Sequence, residues 1–228
     1  MTSPIKVISS MATRQVLAEL VARYQQGCDQ QVATEAVGGV DAARRVRVGE
    51  AFDVVVLAAN AIDELIEAGR LVGGRVDLVR SGVAIAVRSG SPKVDVGSEE
   101  AVRRAVANAR SICYSTGPSG VHLARLFERW GILDAIKDRI VQAPPGVPVG
   151  SLVAEGRVEL GFQQLSELIH LPGIEVLGPL PPDIQTITTF SAGVARTSTR
   201  AEAAQALIGF LASPAAAGPK LANGMEPA

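Results

Sequence analysis

Three stretches of the chain carry hydroxyl or amide side chains where an apolar run gives way to helical periodicity. The first is Ser9-Ser10-Met11-Ala12-Thr13, which follows Ile5-Lys6-Val7-Ile8 and precedes Val16, Leu17, Leu20, Val21 and Tyr24 at helical spacing. The second runs from Ile112-Cys113-Tyr114 into Ser115-Thr116-Gly117-Pro118-Ser119-Gly120-Val121-His122. The third runs from Val158-Glu159-Leu160 into Gly161-Phe162-Gln163-Gln164-Leu165-Ser166-Glu167. A helix start leaves backbone N–H groups without partners and carries the positive end of the peptide dipole, so it favours a carboxylate or an oxyanion. A serine there also serves as a plain N-cap. One such junction is routine; three in one chain suggest convergence on an anionic ligand. A fourth junction, Gly38-Gly39-Val40, offers backbone amides without a hydroxyl.

Proton-transfer chemistry has fewer candidates. His122 follows Ser119-Gly120 near a helix start, whose positive potential favours the neutral imidazole that a general base needs. The alternative for it is a surface or capping histidine. Glu35, beside Gly38-Gly39, is a second acid or base or else a favourably placed helix-start carboxylate. Tyr114 either donates to a ligand or ends a strand. His170, before Leu171-Pro172-Gly173, reads as structural or solvated.

The elements that hold these residues alternate between strand and helix, the pattern of an α/β architecture with a mixed, mostly parallel sheet. The pattern predicts strands at Ile5–Ser9, 31–34, 52–57, 81–87 and 186–194, and helices from Ala12, over 41–48, 62–68, 98–108, 121–130, 151–155 and 200–211. Pro144-Pro145-Gly146-Val147-Pro148 reads as a rigid loop. The strands at 81–87 and 186–194 read as crossings between two lobes, giving a discontinuous first lobe of 1–80 plus 194–228 and a second of 81–193. A cleft between two such lobes is a common place for a small-ligand site.

Composition narrows the function. A length of 228 residues suits one large or two modest domains. The formal charge of −1 gives no electrostatic case for nucleic acid, and 4% aromatic residues argue against stacking platforms. No apolar run is long enough to span a bilayer. Cys28 and Cys113 lack ligand partners at metal spacing, which predicts reduced, structural cysteines and no metal. The pairs Gly38-Gly39 and Gly73-Gly74 form neither a dinucleotide fingerprint nor a phosphate loop, and there is no Gly-x-Ser-x-Gly elbow, so no cofactor is expected. Met-Thr-Ser-Pro leads directly into the first strand without a signal sequence. With Met1 as the natural start the expectation is a cytoplasmic protein; with a signal removed, a periplasmic one, which alone would allow a transporter partner.

The chain resembles the type II periplasmic binding proteins, in particular the molybdate-binding-protein-like family. The resemblance is carried by Ser9-Ser10-Met11-Ala12, Asp53-Val54-Val55-Val56, the crossing Arg80-Ser81-Gly82-Val83-Ala84-Ile85-Ala86-Val87, Gly156-Arg157-Val158-Glu159-Leu160-Gly161, and the terminal Gly224-Met225-Glu226-Pro227, and covers almost the whole chain. It implies a two-lobed clamshell in which helix N-termini, amides and hydroxyls enclose an oxyanion without a lysine or arginine. The chain departs from the molybdate pattern at Gly38-Gly39, where a serine-rich loop is usual, and at Gln163-Gln164 with Ser166, where a tyrosine is common. Two functions follow. One is a substrate-binding protein holding a small carboxylate or tetrahedral oxyanion through Ser9, Ser10, Met11, Gly38, Gly39, Ser115, Thr116, Ser119, Gly120, Gln163, Gln164 and Ser166. The other is a cofactor-independent isomerase, since aconitate isomerases resemble the same family; it would move an allylic proton on an unsaturated di- or tricarboxylate, with His122, Glu35 or Tyr114 carrying the proton.

Overall fold

A computed structural model describes residues 3–144 and 146–228. Met1, Thr2 and Pro145, the last within the Pro144–Pro148 loop read above as rigid, lie outside the described residues. In chain order the elements are β1 (Ile5–Ser10), a 3₁₀ turn (Met11–Thr13), α1 (Arg14–Gln26), β2 (Val32–Val37), α2 (Gly39–Arg47), β3 (Val54–Ala58), α3 (Ala59–Glu67) and β4 (Leu71–Arg88). There follow α4 (Glu99–Asn108), β5 (Ile112–Tyr114), α5 (Pro118–Arg129), α6 (Leu133–Ile136), β6 (Ile140–Gln142), α7 (Val149–Ala154), β7 (Leu160–Gln164), α8 (Leu165–Leu168) and β8 (Ile174–Pro179). The last are β9 (Ile187–Ala195), α9 (Ala201–Ala212), α10 (Ala217–Ala222) and β10 (Glu226–Pro227). The chain forms two compact units, the first made of residues up to Ser81 with Thr188–Ala228 and the second of Gly82–Ile187.

In the first unit β1 lies between β2 and β3, parallel to both, with Val7 opposite Thr34 on one side and Val54 on the other. The strand β9 continues the sheet antiparallel to β3, with Val55 opposite Gly193. Alternation along β1 sends Ile5 and Val7 to one face and Ile8 to the other. On the first face Val16, Leu17 and Leu20 of α1 pack with Leu207, Ile208 and Leu211 of α9. On the second, Ala42 and Val46 of α2 pack with Ile62 and Leu65 of α3. The chain therefore covers opposite faces on successive excursions from β1, which makes the carboxyl edge of β1 a topological switch point, where α/β sheets place their ligands.

The second unit repeats this plan. β5 lies between β6 and β7, parallel to both, with Ile112 opposite Ile140 and Leu160. Val102 and Val106 of α4 and Leu123, Leu126 and Phe127 of α5 cover one face. Val149, Leu152 and Val153 of α7 cover the other beneath Cys113. Gly161 in β7 permits this last contact, because a Cβ there would stand 2.5 Å from Val153 Cγ2 and 3.0 Å from Val149 Cγ1. The carboxyl half of β4 joins β7 and β8 antiparallel.

Candidate functional site

Because β1, β2 and β3 are parallel, the starts of the 3₁₀ turn, α2 and α3 all fall at one edge of the first sheet; likewise α5, α7 and α8 at the carboxyl edge of the second. Six helix starts from two repeats of one topology supply the positive ends of six backbone segments.

Four of these junctions were visible in the sequence. The start of α3 was not, because Ala58-Ala59-Asn60 offers no hydroxyl, and neither was the start of α7 at Val149, which follows a proline-rich loop.

Their capping is unusual. Ser98 Oγ accepts from the Ala101 amide at 3.2 Å, and Glu99 and Glu100 fill the first turn of α4, the ordinary way to satisfy a helix start. Of the six, the 3₁₀ turn, α3, α5 and α7 have neither a capping side chain nor an acid in the first turn, whereas α2 and α8 carry Asp41 and Glu167 there. The positive ends of these four carry no acid of their own first turn.

Ser10 shows the consequence. Its backbone occupies the N-cap position, yet its side chain caps nothing: Thr13 Oγ1 donates to the Ser10 carbonyl at 3.1 Å, and Ser10 Oγ is buried without a hydrogen-bond partner. The plain N-cap reading of this serine is therefore incorrect. Ser166 Oγ, in the second residue of α8, is the other buried hydroxyl without a partner among the described residues. Buried polar groups are nearly always paired, so each such hydroxyl calls for an explanation, and a ligand is one. Ser9 is buried beside Ser10, and Met11, half-buried, opens the turn. Gly38 and Gly39 bring their own junction close to the Ser9–Thr13 one, since a Cβ at Gly39 would stand 3.8 Å from Ser10 Cβ.

In the second unit Tyr114 ends β5 with its ring edge-on to Phe127 at 6.1 Å, inside the core, and burial raises its hydroxyl pKa. Ser115 Oγ and Ser119 Oγ lie 3.4 Å apart, Ser119 being buried and Thr116 exposed. Gly120 is required by close approach: a Cβ there would fall 1.7 Å from the Ser115 carbonyl oxygen, so only glycine lets the hydroxyl loop fold down on α5. Gln163 is buried and bridges two helix starts, its Oε1 accepting from the Gly150 amide at 3.4 Å and its Nε2 donating to Glu167 at 2.6 Å. Gln164, also buried, is the N-cap residue of α8. Glu167, half-buried in the same turn, was not singled out by sequence reasoning.

The proton-transfer candidates are placed differently from their sequence expectation. His122 lies in the second turn of α5, not on a loop, and its Nε2 is 2.8 Å from the Ile184 carbonyl. A carbonyl only accepts, so Nε2 carries a proton and Nδ1 is the nitrogen left for exchange. Glu35 sits within β2 rather than at a helix start, exposed, with its two oxygens on Arg45, which also binds Glu50. Asp53 of the Asp53–Val56 stretch serves structure, its carboxylate accepting from the Lys6 amide at 2.8 Å and from Ser198 Oγ at 2.7 Å. Among the described residues no three His, Cys, Asp or Glu side chains cluster to hold a metal ion, and no helix is long and apolar enough to cross a membrane.

Comparison with known proteins places the fold. The molybdate-binding protein of Azotobacter vinelandii superposes with a TM-score of 0.81 at 19% identity, covering 97% of this chain and 98% of that one. The sulfate-binding protein of Mycobacterium tuberculosis H37Rv superposes with a TM-score of 0.80 at 16% identity, over 99% and 87% of the two chains. At these identities the likeness is one of fold, that of the type II periplasmic binding proteins. In sequence, an aconitate isomerase from a Pseudomonas species is 40% identical over 187 residues, 80% of this chain and 70% of the relative. The model of the bacterial extracellular solute-binding proteins matches residues 5–226, and the chain belongs to that family.

Proposed function

We propose that the chain captures a small anion at the carboxyl edges of its parallel strands, the first unit offering the amides that open the 3₁₀ turn with the Ser10 hydroxyl, and the second the amides that open α5 with the hydroxyls of Ser119 and Ser166. The observation that carries this reading is the pair of buried hydroxyls without partners among the described residues, one in each unit, both at strand-to-helix junctions. No residue of the Ser9–Thr13, Ser115–Ser119 or Gln163–Glu167 junctions is a lysine or arginine, so selectivity rests on oriented dipoles rather than a counter-charge. Molybdate and sulfate binding by structural neighbours agrees with this chemistry. The test is calorimetric titration with molybdate, sulfate and a series of di- and tricarboxylates: saturable binding of at least one supports the reading, and no binding across the series removes it.

A second reading deepens the first and rests on the 40% identity to an aconitate isomerase. In it the anion is an unsaturated tricarboxylate that is turned over. One C–H bond beside a carboxylate breaks, the double bond shifts by one position, and a C–H bond forms at the far end of the allylic system, with no net oxidation. His122 fits the proton carrier best of the three candidates, because Nδ1 is unengaged while Tyr114 is packed into the core and Glu35 is held by Arg45. Proton NMR with cis-aconitate in deuterated buffer tests it; deuterium uptake or isomer formation establishes turnover. In an active enzyme His122→Ala lowers the rate by about 10²–10⁴-fold, the range for loss of a general base, while the dissociation constant stays within a few fold. An unchanged rate removes His122 from the mechanism. A delivery role would pair the chain with a membrane transporter and require export; an isomerase role carries no such requirement.

A further inference from the structure

At the opposite edge of its own sheet from these helix starts, the second unit holds a concavity of about 670 Å³. It opens at the amino ends of β5 and β7, which Ser111 and Glu159 directly precede, and beside the last residue of β4, Arg88. Its floor is apolar and buried, made by Val87, Ala101, Ala109, Val158 and Leu160. Its rim carries three guanidinium groups, those of Arg88, Arg104 and Arg110.

The charges on this rim do not cancel. Glu159 is engaged by Arg110, whose backbone N and Nε donate to one carboxylate oxygen at 2.8 and 3.2 Å. Asp95 Oδ1 accepts from the Gly97 amide at 2.9 Å. Among the described residues no carboxylate stands within ion-pair distance of Arg88 or Arg104. Arg88 is also positioned by the backbone: Gly156, at φ +72°, leaves room for it, and a Cβ there would stand 3.1 Å from its Nη1.

We propose that this concavity is a second ligand site, for an organic dianion with an apolar body, of which an aryl phosphate is the simplest kind. Two arginines without acidic partners offer two guanidinium groups to a phosphate dianion, on a rim whose three arginines outnumber its two carboxylates, and the planar guanidinium pairs with phosphate oxygens in a bidentate fashion. A volume within the roughly 300–1,000 Å³ range of organic-ligand pockets exceeds what an inorganic ion needs, and the buried apolar floor supplies contact for the rest of the molecule. None of the residues involved lies in the Ser9–Thr13, Ser115–Ser119 or Gln163–Glu167 segments, so the site stands whether or not those segments bind an anion.

The experiment is an NMR titration of the ¹⁵N-labelled full chain with phenyl phosphate, with inorganic phosphate and phenol as controls, on wild type, Arg88→Gln and Arg104→Gln. The expected result is a saturable shift of the Asn108, Ser111 and Gly156 amides, tighter for phenyl phosphate than for either control. Each substitution should weaken it by about ten-fold, as loss of a charge-assisted bond does. Circular-dichroism melting of the variants confirms that both fold; the two side chains are exposed, so they should melt with wild type. Shifts that do not saturate, or an affinity indifferent to both substitutions, overturn the site. Equal affinity for inorganic and phenyl phosphate overturns the organic-ligand assignment. Shifts confined to Ser10 and Ser119 assign the probe to the helix-start junctions and overturn the proposal as well.

Discussion

Replacing Ser10 by alanine separates a cap from a ligand hydroxyl by the sign of the stability change. A helix-capping serine stabilises, and its loss costs about 0.5–2 kcal/mol. Ser10 Oγ has no partner in the ligand-free fold, and a buried polar group left unpaired carries a penalty of about 1–3 kcal/mol. Ser10→Ala removes that penalty and leaves a gap of only one oxygen atom, so the empty protein should gain about 1 kcal/mol. In a chain of this size that raises the midpoint of thermal unfolding by about 2–4 °C. Binding should move the other way. A hydrogen bond from a neutral hydroxyl to a charged ligand is worth about 1.5–3 kcal/mol, so the dissociation constant should rise by about ten- to a hundred-fold. The assay is differential scanning calorimetry of wild type, Ser10→Ala and Ser166→Ala, with and without the anion that titration identifies. Wild type at about a hundred times the dissociation constant should gain about 2.7 kcal/mol, and each variant, at the same ligand concentration, should gain only about 0.4–1.4 kcal/mol. A lowered midpoint for the empty Ser10→Ala protein refutes the argument, because the hydroxyl would then be satisfied inside the fold.

Other perturbations test neighbouring parts of the argument. Gly120→Ala forces a methyl group into the Ser115 carbonyl and should lower the unfolding midpoint and abolish anion binding, with about 3 kcal/mol or more lost; Gly39→Ala, with only an ordinary contact to Ser10, should fold like wild type. Burial pushes the Cys113 thiol up to about 11, so native protein at pH 8 should be labelled by an alkylating reagent at half-buried Cys28 alone, and Cys113 should react only on unfolding. The sign of its pH dependence follows: the unfolded thiol ionises first, near its ordinary value of about 8.5, so the contribution of Cys113 to stability is present below that pH and lost as pH climbs toward the folded value. Lys220 is buried with no ion pair among the described residues, and desolvation lowers its pKa; Lys220→Met should raise the midpoint at neutral pH by about 2–4 °C, and a fall would show that its charge is compensated.

How far the sequence reveals such features depends on the range of the interaction. The start of α4 is legible because Ser98, Glu99 and Glu100 sit beside each other in the order a helix start favours. The end of α3 is legible because Gly69 takes a left-handed conformation right after it. By contrast, β6 is three residues long and half-exposed to exposed, without the alternation or apolar run that marks a strand. The first half of β4 is missed because Gly73-Gly74 suggests a turn and Gly73 to Asp77 are exposed. In the site, the hydroxyl-rich junctions are local and readable, whereas what each residue touches is not. The His122–Ile184 bond spans 62 positions, and the pairing of Glu35 with Arg45 depends on strand β2 lying against the helix that follows it. Whether a serine caps a helix or waits for a ligand is likewise decided by backbone geometry, which residue type alone does not fix.

The second unit is one uninterrupted stretch, Gly82–Ile187, placed between the two pieces of the first. During synthesis it is therefore complete while the ribosome still has Thr188–Ala228 to add, a wait of roughly 2–8 s at about 5–20 residues per second. Over that interval β3 has no partner on its β9 side, since Val54 to Ala58 pair with residues 190–194. Nascent chains thus pass through a stage with one finished unit and one open, strongly apolar sheet edge, the kind of surface on which chaperones act and aggregation begins.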